Sequence, residues 1–261
     1  MDKLVMIITG ASSGIGAETA RRMARDGLRL TLAARRAERL QGVAKEVEKL
    51  GGEALVIQTD VTRDEDLRRM FDATLERWGR VDVLLNNAGV GQGKPLADKT
   101  EEEIRADVDV NLIGLIESSR LVLPIMLRQG GGHIINLSSL SGLVASPGAT
   151  IYCAAKFGVV GFSDALRREL RGSGVHVSIF CPGYTPSEID PNLKAHVEGR
   201  PDAPYYPGLM PTSYVADQIA RLVYHPRRMT VIPHSWRILP VLAYMFPWLA
   251  DVLISSFAPK E

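Results

Sequence analysis

Tyr152 and Lys156 stand four positions apart in the stretch YCAAK. This spacing places a phenol and an ammonium on one face of a helix, within one turn of each other. A positive charge beside a tyrosine favours the phenolate and lowers the phenol pKa from about 10, so that the hydroxyl becomes a usable acid or base near neutral pH. Because Tyr–Lys pairs at this spacing also occur on ordinary helix surfaces, the interpretation depends on the rest of the chain.

A glycine-rich turn near the start of the chain supplies that context. The apolar run from Leu4 to Ile8 predicts a strand, and residues 9–16, TGASSGIG, follow it directly and precede a helical pattern. Glycine tolerates positive φ and lets a diphosphate approach the backbone, while the following helix directs free N–H groups and its positive dipole end at the anion. Glycine-rich turns also join ordinary strands to helices, but this arrangement favours a dinucleotide site.

Apolar runs alternate with amphipathic stretches along most of the chain. Further strands are predicted at residues 28–34, 54–58, 81–85, 133–137 and 175–180, and helices at 17–26, 37–50, 65–78, 101–128 and 157–171. Short strands separated by helices predict a parallel sheet with right-handed crossovers. The predicted fold class is α/β, a Rossmann-like doubly wound sheet with helices on both faces, and the lack of repeats or linkers predicts one domain over residues 1–261.

Composition disfavours several classes of protein. Lys plus Arg (31) nearly balance Asp plus Glu (30), so the sequence lacks the excess of positive charge that is typical of nucleic-acid-binding proteins. Cys153 and Cys181 are too few for a disulfide framework. The five histidines are scattered and do not show the spacing of metal ligands, so no metal site is predicted. Reduced cysteines and the lack of a secretory signal pattern predict a cytoplasmic protein.

The motifs together resemble the short-chain dehydrogenase/reductase family from about Leu4 to about Ser187. They occur in the family's order and spacing and comprise the TGxxxGIG turn, Asn86-Asn87-Ala88-Gly89, Asn111, Ser139, the YxxxK pair and Pro182-Gly183. The resemblance implies an enzyme that moves hydride between a nicotinamide and a carbonyl or secondary alcohol without a metal.

The resemblance implies a catalytic set of four residues. Tyr152 would be the general acid/base. Ser139 would hold the reacting oxygen as charge develops, and Ser138 is the weaker choice because strand alternation points it the other way. Lys156 would bind the nicotinamide ribose and stabilise the phenolate, and Asn111 would complete a proton relay through water.

Further cofactor contacts are implied at the ends of the strands. Residues 60–61 resemble the pair whose aspartate meets the adenine amino group, and residues 182–183 would shape the nicotinamide pocket. Ser187 stands where the family usually has threonine, although its hydroxyl can make the same bond to the carboxamide. The implied cofactor-binding residues are Gly10, Ser12, Ser13, Gly14, Ile15, Gly16, Arg35, Arg36, Asp60, Val61, Asn87, Ala88, Gly89, Tyr152, Lys156, Pro182, Gly183 and Thr185.

Cofactor choice depends on the end of the second strand. An NAD enzyme places a carboxylate there, which binds the ribose hydroxyls and repels a 2′-phosphate. Ala34 occupies this position, and Arg35 and Arg36 follow with planar, permanently charged guanidinium groups that can bind a phosphate. The sequence therefore favours NADP(H) over NAD(H), with adenine stacking or helix capping by one arginine as the alternative.

Two segments depart from the regular alternation. Residues 182–211, rich in proline, follow the sixth strand and are predicted to form a substrate lid, with a surface excursion as the alternative. Residues 236–257 predict an apolar C-terminal helical segment, in which Pro240 and Pro247 disfavour a membrane-spanning helix. Contact with substrate, packing in a homodimer or homotetramer, and peripheral contact with a membrane are the alternatives for this segment.

The predicted function is an NADP(H)-dependent oxidoreductase that reduces an apolar or lipid-like ketone, with Tyr152 as general acid/base. The apolar side chains of the lid and tail favour such a small-molecule substrate. The alternative is a catalytically silent, nucleotide-sensing binding protein of the same fold. The presence of Ser139, Tyr152 and Lys156 together favours the enzyme.

Overall fold

The core of the protein is a parallel sheet. The computed structural model describes residues 3–91, 94–186 and 208–255, and within these ranges seven strands form one sheet in the order β3-β2-β1-β4-β5-β6-β7. The strands are β1 Val5–Thr9, β2 Arg29–Ala34, β3 Glu53–Gln58, β4 Val83–Asn86, β5 Gly132–Leu137, β6 Val175–Pro182 and β7 Met229–Ile232.

The helices follow the strands and cover both faces of the sheet. They are α1 Gly14–Ala24, α2 Ala37–Lys49, α3 Asp64–Trp78, α4 Glu101–Val108, α5 Gly114–Gln129, α6 Thr150–Glu169, α7 Thr212–Tyr224, α8 Leu239–Met245 and α9 Pro247–Ser255. Alternation along β1 sends Met6 and Ile8 into the core shared with α1, α2 and α7, and Ile7 into the core shared with α3, α5 and α6. The fold class predicted from the sequence is therefore confirmed.

Strand β1 marks the place where the sheet changes its direction of winding. It pairs with β2 on one side and with β4 on the other, so that Ile7 lies opposite both Thr31 and Leu84. All five residues of β1 are buried, as expected for a strand covered on both faces. In open parallel sheets a crevice forms at such a switch point, outside the carboxyl ends of the strands, and ligands bind in it.

The structure differs from the predicted elements at several boundaries. The sequence pattern does not predict strand β7 or helix α7, and the four-residue strand gives little periodic signal. The predicted helix 101–128 is interrupted by a π-helical turn, Asp109–Ile113. Helix α6 begins at Thr150, seven residues before the start given by the apolar periodicity, and so includes Tyr152 and Lys156, as their spacing requires.

Two apolar segments bear on membrane contact. By length and composition Glu101–Gln129 would suffice to cross a membrane, yet its α5 part contributes Val122 and Met126 to the core beneath the sheet. The C-terminal segment forms α8 and α9, of seven and nine residues, whereas a spanning helix needs about 20. Pro247 opens α9 and Pro240 lies in the first turn of α8, where proline is tolerated.

The predicted substrate lid, residues 182–211, is described only at its two ends. Residues 187–207, including Ser187, lie outside the described part of the chain. At the ends, the Met210 backbone N–H donates to the Tyr184 carbonyl at 2.9 Å, so the two ends of the segment meet beside β6. The role of a lid stays a prediction.

Candidate active site

The glycine turn joins β1 to α1 at the switch point. Gly10 and Gly14 have φ values of +67° and +54°, which disfavour any residue with a Cβ. Ser13 precedes α1 in an extended conformation, and its side chain does not cap the helix. The first-turn N–H groups of α1 are thus not used by that hydroxyl, which suits a helix start that receives an anion.

Asn87 holds the glycine turn against the end of β4. Its Nδ2 donates to the Thr9 and Gly10 carbonyls at 2.8 and 3.2 Å, and the backbone N–H groups of Asn87 and Ala88 donate to Thr9 Oγ1 at 3.0 and 3.1 Å. A Cβ on Gly16 would lie 2.5 Å from the Gly10 carbonyl oxygen. Thr9, the first residue of the TGxxxGIG pattern, is not among the predicted site residues, although its hydroxyl anchors the turn.

The two arginines of interest follow β2, beside this turn. Arg36 Nη2 donates to Ser12 Oγ at 3.1 Å and to Ser13 Oγ at 2.9 Å, which brings its guanidinium directly to the glycine turn. Arg35 is exposed, and its carbonyl accepts from Gln58 Nε2 at 3.0 Å. Positive charge therefore borders the glycine turn.

Asp60 and Val61 lie beyond the end of β3. Asp60 Oδ1 accepts from the Thr62 backbone N–H at 3.0 Å and from Thr62 Oγ1 at 2.8 Å, an Asx turn that fixes the carboxylate. Val61 contacts the start of α5, where a Cβ on Gly114 would lie 2.7 Å from the Val61 carbonyl oxygen. Both residues are half-buried at the same edge of the sheet as the glycine turn.

Ser139 and Tyr152 are brought together by β5 and α6. Ser139 follows β5 and is hydrogen-bonded through its side chain to Tyr152, near the start of α6. The Ser141 backbone N–H donates to Ser139 Oγ at 3.1 Å, which leaves the Ser139 proton for an oxygen acceptor. Ser138 Oγ instead donates to the Lys156 carbonyl at 2.9 Å and is buried away from the cleft.

Lys156 lies one helical turn beyond Tyr152 and is buried. Its Nζ is 5.5 Å from the centroid of the Tyr152 ring and donates to the Leu137 carbonyl at 3.0 Å. Burial lowers the Lys156 pKa to about 8. Burial also raises the Tyr152 pKa to about 12, against the opposing effect of the Ser139 hydrogen bond.

The direction of the Tyr152 shift differs from the one expected from the sequence. We expected the ammonium to lower the phenol pKa, but desolvation of the hydroxyl outweighs other influences, and the Lys156 ammonium is directed at the Leu137 carbonyl. Tyr152 is therefore protonated at neutral pH. This is the form that can donate a proton to a substrate oxygen.

Asn111 lies in the π-helical turn between α4 and α5. Its Nδ2 donates to the carbonyls of Val90 and Asp107 at 2.7 and 2.8 Å, and its Oδ1 accepts from the Val90 backbone N–H at 3.2 Å. The side chain is fully buried and joins the loop after β4, which includes Gly89, to the end of α4. Single-turn π insertions often occur at functional sites, and this one packs against α6, the helix of Tyr152.

The end of β6 forms another wall of the cleft. Pro182 ends the strand, the Gly183 backbone N–H donates to the Ile232 carbonyl at 2.8 Å, and the buried Thr185 hydroxyl donates to the Gly183 carbonyl at 3.4 Å. A Cβ on Gly183 would lie 3.0 Å from the Trp236 ring, so glycine admits the indole. Trp236, which the sequence placed only in the apolar tail, thus fixes the chain beside the site.

A cavity of about 320 Å³ lies next to helix α6. Its walls come from the loop between β5 and α6, the first turn of α6, and α9, with Ala145, Ser146, Pro147, Thr150, Cys153, Asp251 and Ile254 as lining residues. Cys153 directly follows Tyr152, so the cavity adjoins the first turn of the helix that carries Tyr152. The cavity is mostly apolar, with one carboxylate contributed by the C-terminal helix.

The described ranges hold no group of three or more His, Cys, Asp or Glu side chains arranged to bind a metal ion. The residues at the switch point suit an organic dinucleotide instead. Gly10 and Gly16 pack closely against Asn87 and its neighbours, where a Cβ would collide, and the start of α1 offers N–H groups to an anion. The glycine turn, Ser12, Ser13, Arg35 and Arg36 would hold the cofactor's phosphates.

Comparison with known proteins agrees with this geometry. A family profile described as short chain dehydrogenase matches residues 4–198. The 3-oxoacyl-[acyl-carrier-protein] reductase of a Synechocystis strain is 35% identical over 192 residues, which cover 73% of this chain and 78% of that protein. The chain belongs to the short-chain dehydrogenase/reductase family.

Two solved structures extend the similarity over the whole fold. A short-chain dehydrogenase/reductase from Burkholderia phymatum in complex with NAD has a TM-score of 0.85 and 28% identity, covering 100% of this chain and 98% of that one. A single-residue variant of the actinorhodin polyketide ketoreductase, solved with NADPH, has a TM-score of 0.81 and 32% identity, covering 88% and 96%. The protein is an oxidoreductase that acts on the CH–OH group of a small molecule with a nicotinamide nucleotide.

Proposed function

We propose that the protein is an NADP(H)-dependent reductase of apolar ketones in which Tyr152 is the general acid. The observation that carries this proposal is the contact between Ser139 and Tyr152 beside the buried Lys156. When bound, the nicotinamide supplies the hydride that reduces the carbonyl carbon. A silent nucleotide-binding protein would not need this combination of buried polar groups, which are costly to bury.

The protein's own residues would handle the proton. Tyr152 donates its phenolic proton to the substrate oxygen, and the Ser139 hydroxyl donates a hydrogen bond to the same oxygen as negative charge develops. The Lys156 ammonium, 5.5 Å from the ring, stabilises the phenolate that remains. Asn111 positions the π-helical turn, and its role in returning a proton to Tyr152 through water stays a prediction.

The proposed preference for NADP(H) rests on the two arginines after β2. Arg35→Ala should lower kcat/KM with NADPH by about 10- to 100-fold and leave kcat/KM with NADH nearly unchanged, because a charge-assisted hydrogen bond contributes about 1.5–3 kcal/mol. Steady-state kinetics with both cofactors would measure this. Arg171→Ala, an exposed arginine at the amino end of β6, is the matched control. Equal losses with both cofactors would contradict the proposal.

The proposed substrate class rests on the cavity next to the first turn of α6. Its apolar walls suit a hydrocarbon chain or ring attached to the ketone. Two similar proteins are named a 3-oxoacyl-[acyl-carrier-protein] reductase and a polyketide ketoreductase, and both names describe ketones on acyl chains. We therefore propose long-chain 3-oxoacyl compounds and related apolar ketones as the substrates to test first.

A panel of ketones and alcohols with NADPH and NADH tests the proposed function. We expect reduction of 3-oxoacyl thioesters and bulky apolar ketones with NADPH, and weaker reduction of small polar ketones. A protein that binds either nucleotide but turns over none of these compounds would be the silent binding protein. Reduction confined to sugars or other polar ketones would contradict the apolar substrate class.

The outward surface of α8 and α9 is proposed to pack against a second copy of the chain, in a homodimer or homotetramer. Tyr244 and Trp248 are 73% and 68% exposed, and Val252 is also exposed, although all three are apolar or aromatic. Obligate subunit interfaces have this character. Contact with a membrane surface at the periphery of the cytoplasm is the alternative, since aromatic residues also favour that interface.

The two faces of α9 can be tested separately. Ile254→Ala should lower kcat/KM for long apolar ketones by about tenfold, because it removes about 1–2 kcal/mol of apolar contact in the cavity, and should leave the oligomer intact. Trp248→Ala should shift the oligomer toward monomer in sedimentation experiments and leave kcat/KM unchanged. Each variant is the control for the other. A monomeric wild-type protein that floats with lipid vesicles would favour the membrane alternative.

A further inference from the structure

A buried ion pair joins the loop after β4 to helix α4. Lys99 Nζ and Asp107 Oδ2 are 2.7 Å apart, and the two side chains are only 2% and 6% exposed. Charged side chains are rarely buried this completely. A buried pair loses so much hydration that well-packed apolar residues often serve stability equally well, so stability alone is a weak reason for it.

The position of this pair connects it to the catalytic set. Asp107 lies in the last turn of α4, directly before the π-helical turn that carries Asn111. The Asp107 carbonyl accepts from Asn111 Nδ2 at 2.8 Å, and Asn111 in turn holds both backbone groups of Val90. The ion pair therefore fixes Asp107, whose carbonyl accepts the hydrogen bond from Asn111 Nδ2.

The same region is also tied to the loop before Tyr152. Lys94 Nζ contacts the Glu103 carboxylate at 3.0 Å, and the Lys94 backbone N–H donates to the Gly148 carbonyl at 2.8 Å. Gly148 lies two residues before α6. Lys94 and Lys99 thus connect the loop after β4 to α4. Lys94 also connects this loop to Gly148, just before α6.

The charges of the pair also affect the reacting group. The Asp107 carboxylate is close enough to Tyr152 to contribute to its raised pKa. The Lys99 ammonium at 2.7 Å neutralises this carboxylate, so the pair fixes α4 while limiting the negative charge that the phenol experiences. An apolar pair at the same place would provide packing without a directional contact.

We propose that Lys99 and Asp107 are positioning residues for the reaction, which hold the end of α4 so that Asn111 and the π-helical turn are correctly placed beside Tyr152. This inference rests on the proposed reductase function. It predicts that disrupting the pair lowers kcat while the KM for NADPH changes little, because the glycine turn is anchored through Asn87 at the end of β4.

Asp107→Asn tests the inference because it keeps the size of the side chain and the backbone carbonyl while removing the charge. We expect kcat to fall at least tenfold, the KM for NADPH to change less than twofold, and amide hydrogen exchange at residues 109–113 to accelerate. Glu101→Gln is the matched control, because it breaks an ion pair with Arg105 on the same helix whose side chains are 71% and 72% exposed. This control should behave as the wild type.

The double variant Lys99→Met, Asp107→Leu separates positioning from stability. Removing both charges leaves no unpaired buried ion, so thermal stability should recover to near the wild-type value even where Asp107→Asn folds poorly. We expect kcat to stay low in the double variant. Wild-type kcat in either variant would overturn the positioning role.

Amide hydrogen exchange reports on the position of the π-helical turn even if the protein turns over no substrate. A wild-type protein that reduces no ketone would refute the proposed function, and unchanged exchange at residues 109–113 in Asp107→Asn would refute the ion pair's role. Accelerated exchange there, with wild-type exchange in Glu101→Gln, would support the role of the pair in holding the π-helical turn.

Discussion

Tyr152→Phe is expected to lower kcat for ketone reduction by about 10³-fold, within the range that general acid catalysis contributes. The substitution removes only the hydroxyl, so the proton donor and the contact with Ser139 are lost while the ring beside Lys156 remains. The dissociation constant for NADPH, measured by fluorescence titration, should change less than about twofold, since the loss falls on the chemical step.

Tyr214→Phe is the matched control for this variant. Tyr214 lies on α7 and is partly exposed, so loss of its hydroxyl should leave kcat unchanged. If Tyr152→Phe keeps a tenth or more of the wild-type kcat, Tyr152 is not the proton donor. A large rise in the dissociation constant for NADPH would instead show that the phenol serves mainly to bind the cofactor.

Gly16→Ala is expected to weaken NADPH binding by about 10- to 100-fold. A Cβ at this position would lie 2.5 Å from the Gly10 carbonyl oxygen and 2.6 Å from Asn87 Nδ2, so the glycine turn must shift to admit it. Overpacking of this kind costs about 1–3 kcal/mol, and each 1.4 kcal/mol corresponds to a tenfold change in affinity. Titration of the purified variant with NADPH measures the effect.

Gly42→Ala separates the steric effect from the general effect of adding a methyl group. Gly42 lies in α2, and a Cβ there would meet no atom within 4 Å. Its affinity for NADPH should be unchanged, and its free energy of unfolding should rise by about 0.5–1 kcal/mol because alanine favours a helix. Equal affinities for NADPH in Gly16→Ala and the wild type would contradict the assignment of the glycine turn as the cofactor site.

Much of the fold was predictable because its signals are local. The apolar run of β1 and the glycines after it determine a strand, a turn and a helix start within twelve residues, and the same alternation recurs along the chain. Strand β7 was not predicted, because Met229–Ile232 is too short to show a periodic pattern. Its pairing with β6 depends on distant residues, which sequence pattern alone does not reveal.

The site was predictable in its residue types and less so in its electrostatics. Spacing placed Tyr152 and Lys156 on one helix, but the sequence carries no measure of how much water each group loses on folding. Burial therefore reversed the expected direction of the Tyr152 pKa shift. The contact between Lys99 and Asp107 was equally hidden, because the two residues lie eight positions apart on either side of a helix start.

Helix α9 contributes one wall of the proposed substrate cavity, whereas Tyr152 lies on α6 and the glycine turn follows β1. Substitutions at Asp251 or Ile254 can therefore alter the shape and charge of that wall without touching a strand or its register. Selection for a new ketone can act on α9 while the proposed hydride and proton transfers stay the same. Among descendants of this protein, we expect substrate range to diversify faster at α9 than at any catalytic position.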